Sequence, residues 1–340
     1  MALQNKKEEL LVTWRALGSQ VKERGWSTIA VSTETPCRVL AGRHFPGNEE
    51  ALLFGFHASR VPPTDQLPKG HGFLVFKAEP REELDCSYVW IALCRQYAGS
   101  LDLFVTMAED IILTLNELKH LNDDGLFHVF LTRIRAWQSF MHHGKDDFLS
   151  PEKEVGLFGE LEFLQEVLTF GLPETTVIDG WQGPFDGVHD FKFGNGAVEV
   201  KTTLSPIGFK AQINSLEQLD DQLVQPLFLA GIRLALNVSG ITLPEKINNL
   251  RNILSKTPEG LAMFNSALLN VGFIDDNSNH YSRRFLSSEK RLMHVFNDFP
   301  RITCADTKIE IRKVKYELDL DMIVGFDVDF LEVLYQLKAI

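Results

Sequence analysis

Residues 190–201 read Asp190-Phe191-Lys192-Phe193-Gly194-Asn195-Gly196-Ala197-Val198-Glu199-Val200-Lys201, a tight hairpin that carries an aspartate to a Glu-x-Lys on an otherwise apolar strand. Gly194-Asn195-Gly196 supplies the turn, because glycine and asparagine accept the positive φ values that tight hairpins need. Pairing outward from Asn195 sets Phe191 opposite Glu199 and Asp190 opposite Val200, which leaves Asp190 diagonally beside Glu199 and Lys201. Glu199 and Lys201 are two apart and share a face, while Val198 and Val200 enter the opposite layer. Burial of such charges is costly unless they pair or hold a metal.

Two carboxylates and an ammonium on one face suit a hard divalent cation, Mg²⁺ with Mn²⁺ as a substitute. In that reading Asp190 and Glu199 hold the ion, Lys201 positions the attacking water, and the chemistry is phosphodiester hydrolysis. The preceding helix opens at Ser150-Pro151, an N-cap followed by proline at the first helical position, and runs to about Phe170. On it Glu160 has Gly156 at i−4, Phe163 at i+3, Leu164 at i+4 and Val167 at i+7, which turns it toward the core. Glu160 is thus the fourth candidate, to bind a second metal or order the ligands of the first. Glu162, near Gln165 and Glu166, is expected on the solvent side, and Gly156 and Gly159 are expected to let the helix approach the sheet closely. Asp186, in Pro184-Phe185-Asp186, rivals Asp190 for the aspartate role.

Around the hairpin, Thr176–Asp179 reads as a strand, Ser215–Val224 as a helix and Pro226–Val238 as a buried central strand. The predicted order is α-β-β-β-α-β, a mixed sheet flanked by helices. It resembles the PD-(D/E)xK nuclease superfamily, the restriction-endonuclease-like fold, over about Ser150 to Val238. By that resemblance Asp190 matches the family aspartate, Glu199 and Lys201 its (D/E)xK, and Glu160 its first-helix glutamate. The segments Gly156-Leu157-Phe158-Gly159-Glu160-Leu161, His189-Asp190-Phe191 and Glu199-Val200-Lys201-Thr202-Thr203 are similar to an uncharacterised bacterial PD-(D/E)xK-motif family encoded beside restriction-modification and defence genes. One departure is that His189 stands where the motif has proline. The resemblance implies a Mg²⁺-dependent DNA endonuclease of a restriction or defence system, with ATPase, helicase or methyltransferase partner proteins. Two strands to cut imply a homodimer. The alternatives are a non-catalytic DNA-binding or assembly subunit, and a nuclease acting on RNA or repair intermediates.

With 340 residues, the chain is expected to divide into a β-rich and helical domain at 1–145 for recognition or assembly, the nuclease core at 146–240, and an α+β region at 241–340. In the first, helical spacing runs from Glu8 to Lys22. Ala51–Phe56, Phe73–Phe76 and Tyr88–Leu93 read as strands with a turn-rich stretch at Val61–Gly72, and helices are expected at Glu109–Leu121 and Leu126–Met141. His142–Leu149 reads as a linker. In the last region, helices are expected at Glu245–Ser255 and Gly260–Val271 and strands at Arg291–Phe296 and Lys308–Glu317. The acidic tail with Asp319, Asp321, Asp327 and Asp329 reads as a solvated face.

The net charge of −12 argues against nonspecific coating of nucleic acid. Between His280 and Tyr316, however, nine basic residues face four acids, which allows a local basic face. No apolar run is long enough to span a membrane, the N-terminus lacks the apolar segment of a signal peptide, and the four cysteines form no Cys-x-x-Cys pair. A cytoplasmic protein with reduced, packing cysteines is expected. Gln212, Ser215 and Gln218 read as a polar face, and Arg43-His44 and His142-His143 as solvated or hydrogen-bonded pairs. No phosphate-binding Gly-x-x-x-x-Gly-Lys-Ser/Thr occurs, so ATP-driven movement would need a partner.

Overall fold

The computed structural model describes residues 4–20, 22–31, 33–57, 62, 67–70, 72–79, 84–142, 148–308 and 310–339. The chain forms two units, Met1–Gly144 and Lys145–Ile340. Half of the turn-rich stretch at 61–72 and most of the linker at 142–149 lie outside the described residues.

In the first unit, helix α1 (Gln4–Gly18) precedes strands β1 (Gly25–Ala30), β2 (Arg38–Phe45), β3 (Glu49–Phe56), β4 (Lys69–Gly70), β5 (Phe73–Ala78) and β6 (Val89–Arg95), then helices α2 (Leu101–Glu117) and α3 (Asp123–His142). The sheet is antiparallel, in the order β1-β2-β3-β6-β5-β4. β3 is buried along nearly its whole length, and its Phe54 and Phe56 meet Phe130 and Phe127 of α3 at 4.7 and 5.2 Å between ring centroids. On the other face Trp26, Leu53, Trp90 and Cys94 form a second cluster. There the sheet curls enough to bring Trp26 of β1 within 6.2 Å of Phe76 of β5. α2 starts well before the expected Glu109, because Ser100 accepts a hydrogen bond from Leu103 N and caps it at that point.

The second unit takes in both the expected core and the region after residue 240. Helices α4 (Pro151–Leu168) and α5 (Glu174–Gly180) lead into β7 (Phe191–Phe193), β8 (Gly196–Thr203), β9 (Lys210–Ile213) and β10 (Leu227–Ile241). α6 (Leu243–Leu254), α7 (Pro258–Val271), β11 (Phe285–His294), β12 (Tyr316–Asp319) and α8 (Phe330–Gln336) follow. The main sheet is β11-β10-β8-β7, with β8 and β10 parallel and the outer pairs antiparallel, and β9 pairs with β12 in a small second sheet. This mixed α/β architecture is the class expected. One face of the sheet, with Val198, Val200, Phe228 and Ile232, packs into a core shared with α4 and α6. Ala197, Leu227 and Leu229 on the other face pack with Phe209, Ile213 and Leu320.

Several expectations are corrected. Thr176–Asp179 is not a strand but lies in α5, which starts directly after Pro173; so short a segment with two apolar residues, Val177 and Ile178, does not distinguish the two states. Ser215–Val224 is not a helix but a series of turns. Gln218 Oε1 accepts from Asn214 N at 2.7 Å and Asp220 Oδ1 from Gln222 N at 3.0 Å, side-chain bonds that compete with helical ones. The order through β10 is therefore α-α-β-β-β-β. Lys308–Glu317 contributes strand only from Tyr316 onward. Asp319, Asp321, Asp327 and Asp329 of the acidic tail are exposed, as expected, and are tied into surface contacts. Asp327 pairs with Arg291 at 2.8 Å, Asp321 with Arg233 at 3.1 Å, Asp319 accepts from Phe209 N, and Asp329 caps α8.

Candidate active site

The hairpin is one residue tighter than the sequence suggested. Gly194-Asn195 alone makes the turn, with Gly194 at φ 53°, and the pairs are Phe193↔Gly196, Lys192↔Ala197 and Phe191↔Val198. Gly196 is thus a strand residue, and the register carried outward sets Asp190 opposite Glu199. Asp190 keeps that place because its Oδ2 accepts a hydrogen bond from Val200 N at 2.7 Å, while its own carbonyl accepts from Gln182 N and Gly183 N at 2.8 and 3.0 Å.

Glu199 is 1% exposed, and its Oε1 lies 2.6 Å from Nζ of Lys201, whose side chain is 13% exposed. Glu160 reaches the same place from α4. Gly159 permits this, since a Cβ there would stand 1.8 Å from Thr202 Oγ1 of β8; at Gly156 nothing lies within 4 Å. Trp181 Nε1 donates to Glu160 Oε2 at 2.7 Å. A Cβ on Gly183 would lie 2.6 Å from Glu160 Oε2 and 3.3 Å from Asp190 Oδ1, so both carboxylates border one small space beside the Gly183 backbone. Glu160, Asp190, Glu199 and Lys201 are brought together, and Asp186 is not. It is exposed, at φ 56°, where the turn at Gly183–Phe185 ends.

Three carboxyls in one poorly hydrated place cannot all ionise freely. Burial pushes Glu160 well above the ordinary carboxylate range, Asp190 adds to this, and the Trp181 N–H opposes it. Burial also raises Asp190, against the pull of Lys201 and the Val200 N–H. Burial, then the charge of Asp190, pushes Glu199 up to about 8. Burial disfavours the Lys201 ammonium, but Glu199 and Asp190 outweigh it and hold the group above its usual value. His189, in the proline position of the motif, is lowered by burial.

Among the described residues, no three Asp, Glu, His or Cys side chains stand as a ready-made metal cage. The donor set nevertheless fits a hard cation. All three acids offer oxygen, and Glu199 Oε2 is buried without a hydrogen-bond partner among the described residues, a costly state that a cation would relieve.

Sequence reasoning missed Trp181 and Gly183; the signal for Trp181 was an indole N–H between Glu160 and Asp190 in the chain. Glu162 was misplaced on the solvent side. It pairs with Lys246 of α6 at 2.6 Å and Lys290 of β11 at 3.3 Å. The expected basic face is reduced as well. Arg283, Arg284, Lys290, Arg291 and Arg301 are bound to Glu154, Glu245, Glu166, Asp327 and Asp221, which leaves Lys308, Arg312, Lys313 and Lys315 exposed and unpaired among the described residues. Gln212 is bound to Glu317 rather than free. Among the described residues no helix is long and apolar enough to cross a membrane, and all four cysteines are unbridged, Cys86 and Cys304 exposed.

No curated protein and no solved structure matches this chain. A family model described as "Putative PD-(D/E)XK family member, (DUF4420)" matches residues 10–321, from within α1 to just beyond β12, and so takes in the first unit as well as the second. Match and site geometry agree, and the chain belongs to this PD-(D/E)XK family.

Proposed function

We propose that the protein is a divalent-metal-dependent endonuclease that hydrolyses phosphodiester bonds of DNA within a restriction or defence system. The observation that carries this reading is the convergence of Glu160, Asp190 and Glu199 near Lys201 of β8. Asp190 and Glu199 would hold Mg²⁺ or Mn²⁺, with Glu160 as a third carboxylate. Once bound, the ion supplies positive charge to the phosphate and acidifies water. The chain's own groups do the rest. Lys201, kept charged by Glu199 and Asp190, orients the attacking water and offsets charge that builds on the phosphate oxygens. The Val200 N–H and the Trp181 N–H fix the carboxylates before substrate arrives.

DNA as partner is supported by the unpaired cations on 308–315. They precede Tyr316 of β12, the strand that pairs with β9. A homodimer would place two such sites on two strands, and the ATPase or methyltransferase functions of a defence system would belong to partner proteins.

The test is plasmid cleavage by wild type and Lys201→Ala with Mg²⁺ or Mn²⁺. Metal-dependent nicking is expected, slower by about 100-fold or more in the variant. Equal rates in the two proteins, or no metal-dependent difference between them on duplex, single-stranded or branched DNA, would remove the catalytic reading and favour a non-catalytic DNA-binding subunit.

A further inference from the structure

Helix α8 begins beside one edge of the main sheet and ends against the other. Val328 N donates to Leu292 O at 2.9 Å and His294 N to Phe326 O at 2.8 Å, so the chain before α8 runs along β11. Asp329 then caps the helix. Val333 and Leu334 are fully buried, Leu337 just past the helix end is 1% exposed, and Phe330 meets Phe163 of α4 at 5.4 Å. Phe163 in turn meets Phe191 of β7 at 4.8 Å. Leu337 itself reaches the turn of the hairpin that carries Asp190 and Glu199.

Both glycines at that turn are fitted to Leu337. A Cβ on Gly194 would strike the Leu337 carbonyl oxygen, and one on Gly196 would stand 2.5 Å from Leu337 Cδ2 and 2.6 Å from Pro226 O. Gly194 also needs glycine for its φ of 53°, but Gly196 is a strand residue without a positive φ. Glycine inside a strand weakens it, and often marks the close approach of another chain segment. Here those segments are Leu337 and Pro226. The hairpin needs such support, because β7 is three residues long, lies at the sheet edge and pairs with β8 at three positions. So short and glycine-rich a pairing specifies its own register weakly.

We infer that Leu337 is a positioning residue of the candidate active site: seated on Gly194 and Gly196, it holds the hairpin in the register that sets Asp190 beside Glu199. It acts through the turn. Only the three residues of β7 separate Gly194 from Asp190, so a shift of the turn carries along the strand to the carboxylate. In treating that placement as functional, the inference rests on the reading of the two acids as cation ligands; the placement itself does not. If Leu337 only filled the core, as Leu334 does three residues earlier, its loss would lower stability and leave the acids in register. The two roles predict different measurements.

Hydrogen exchange at the Val200 amide of the full chain separates them. That N–H is bonded to Asp190 Oδ2 at 2.7 Å, so its protection reports the place of Asp190 without any metal. Leu337→Ala and Leu334→Ala each remove a buried leucine side chain, and both should lower the melting temperature. In Leu337→Ala the protection of Val200 should fall about tenfold further than that of the β10 amides in the same protein. In Leu334→Ala the two should fall together. Leu337→Met should restore Val200, and Leu337→Val should give the same local loss in smaller measure if the alanine protein does not fold. Mn²⁺ affinity by calorimetry should follow, about tenfold weaker in Leu337→Ala than in Leu334→Ala. Equal behaviour of Val200 in the two alanine variants, or a loss in Leu337→Ala and Leu337→Val shared by all β10 amides, overturns the inference. A local loss at Val200 in a protein whose wild type binds no Mn²⁺ would uphold the positioning role and count against the nuclease reading alone.

Discussion

Gly159 of α4 lies against Thr202 of β8 with no room for a side chain, since a Cβ there would stand 1.8 Å from Oγ1, 2.9 Å from Cβ and 3.0 Å from Cγ2 of Thr202. The contact sets the height of the helix above the sheet, and hence the reach of Glu160. Gly159→Ala should therefore push α4 away. Overpacking of this kind costs about 1–3 kcal/mol, offset in part by alanine's better helix propensity. Urea melts should show a lower midpoint, and cleavage should fall further than stability alone explains, because Glu160 is displaced. Gly156→Ala, with nothing within 4 Å, is the internal control and should be neutral or slightly stabilising. Equal melts for the two variants would mean that Thr202 does not set the helix height.

Glu199 makes the metal-free protein sensitive to pH. Its folded value of about 8 is raised from an ordinary 4.5, so between these limits the folded state binds more protons than the unfolded one. The stability it contributes is fully present below about pH 4.5 and is lost as pH rises through about 8, a change on the order of a few kcal/mol. In chelator, wild-type melting temperature should decline from pH 5 to pH 8. Glu199→Gln, which cannot ionise, should flatten that decline. A divalent cation should restore the wild type at pH 8 and not the variant, since cation binding requires the deprotonated acid. Parallel pH profiles for the two proteins would show that the carboxyl is hydrated and not buried as described.

The two aspartates that compete for the motif differ in setting, so their variants should differ in effect. Asp190 accepts the Val200 N–H and borders the same space as Glu160, whereas Asp186 is exposed at the end of a turn. Asp190→Asn should abolish metal-dependent cleavage, and Asp186→Asn should leave it within about twofold, as expected for a surface change. Calorimetric titration with Mn²⁺ should follow the same division. Loss of binding in the Asp186 variant alone would reverse the assignment.

What the sequence revealed and what it hid divide by the range of the interactions. Glu199 and Lys201 share a face because a strand alternates, and Glu160 turns inward because a helix repeats; both periods are local and readable. The hairpin register came out one residue off because Gly196 can serve either as turn or as strand, and only its pairing with Phe193 decides. Even so, the slip left Asp190 beside Glu199, because a diagonal and a direct neighbour are both within reach. Ser215–Val224 has helical spacing but lost its helix to the side chains of Gln218 and Asp220. Glu162 was unreadable for another reason. Its partner Lys246 comes 84 residues later, and no local pattern records such a pairing.

The unpaired cations at 308–315 lead to a prediction about salt. In an acidic protein most of whose basic side chains between 283 and 301 are tied to acids, Lys308, Arg312, Lys313 and Lys315 remain to meet a polyanion. Each phosphate contact releases counterions, so the logarithm of affinity falls with the logarithm of salt by about 0.9 per contact on duplex DNA. Replacing Arg312, Lys313 and Lys315 by alanine should weaken binding to all sequences alike and reduce that slope by roughly one for each phosphate that no longer meets a cation. Binding measured by anisotropy between about 50 and 200 mM salt gives the slope directly. Lys256→Ala, at an exposed lysine just past the end of α6 with no ion-pair partner among the described residues, should leave it unchanged. An unaltered slope in the triple variant would mean that DNA approaches the site by another surface. A sequence-dependent loss would instead make the loop a reader of bases.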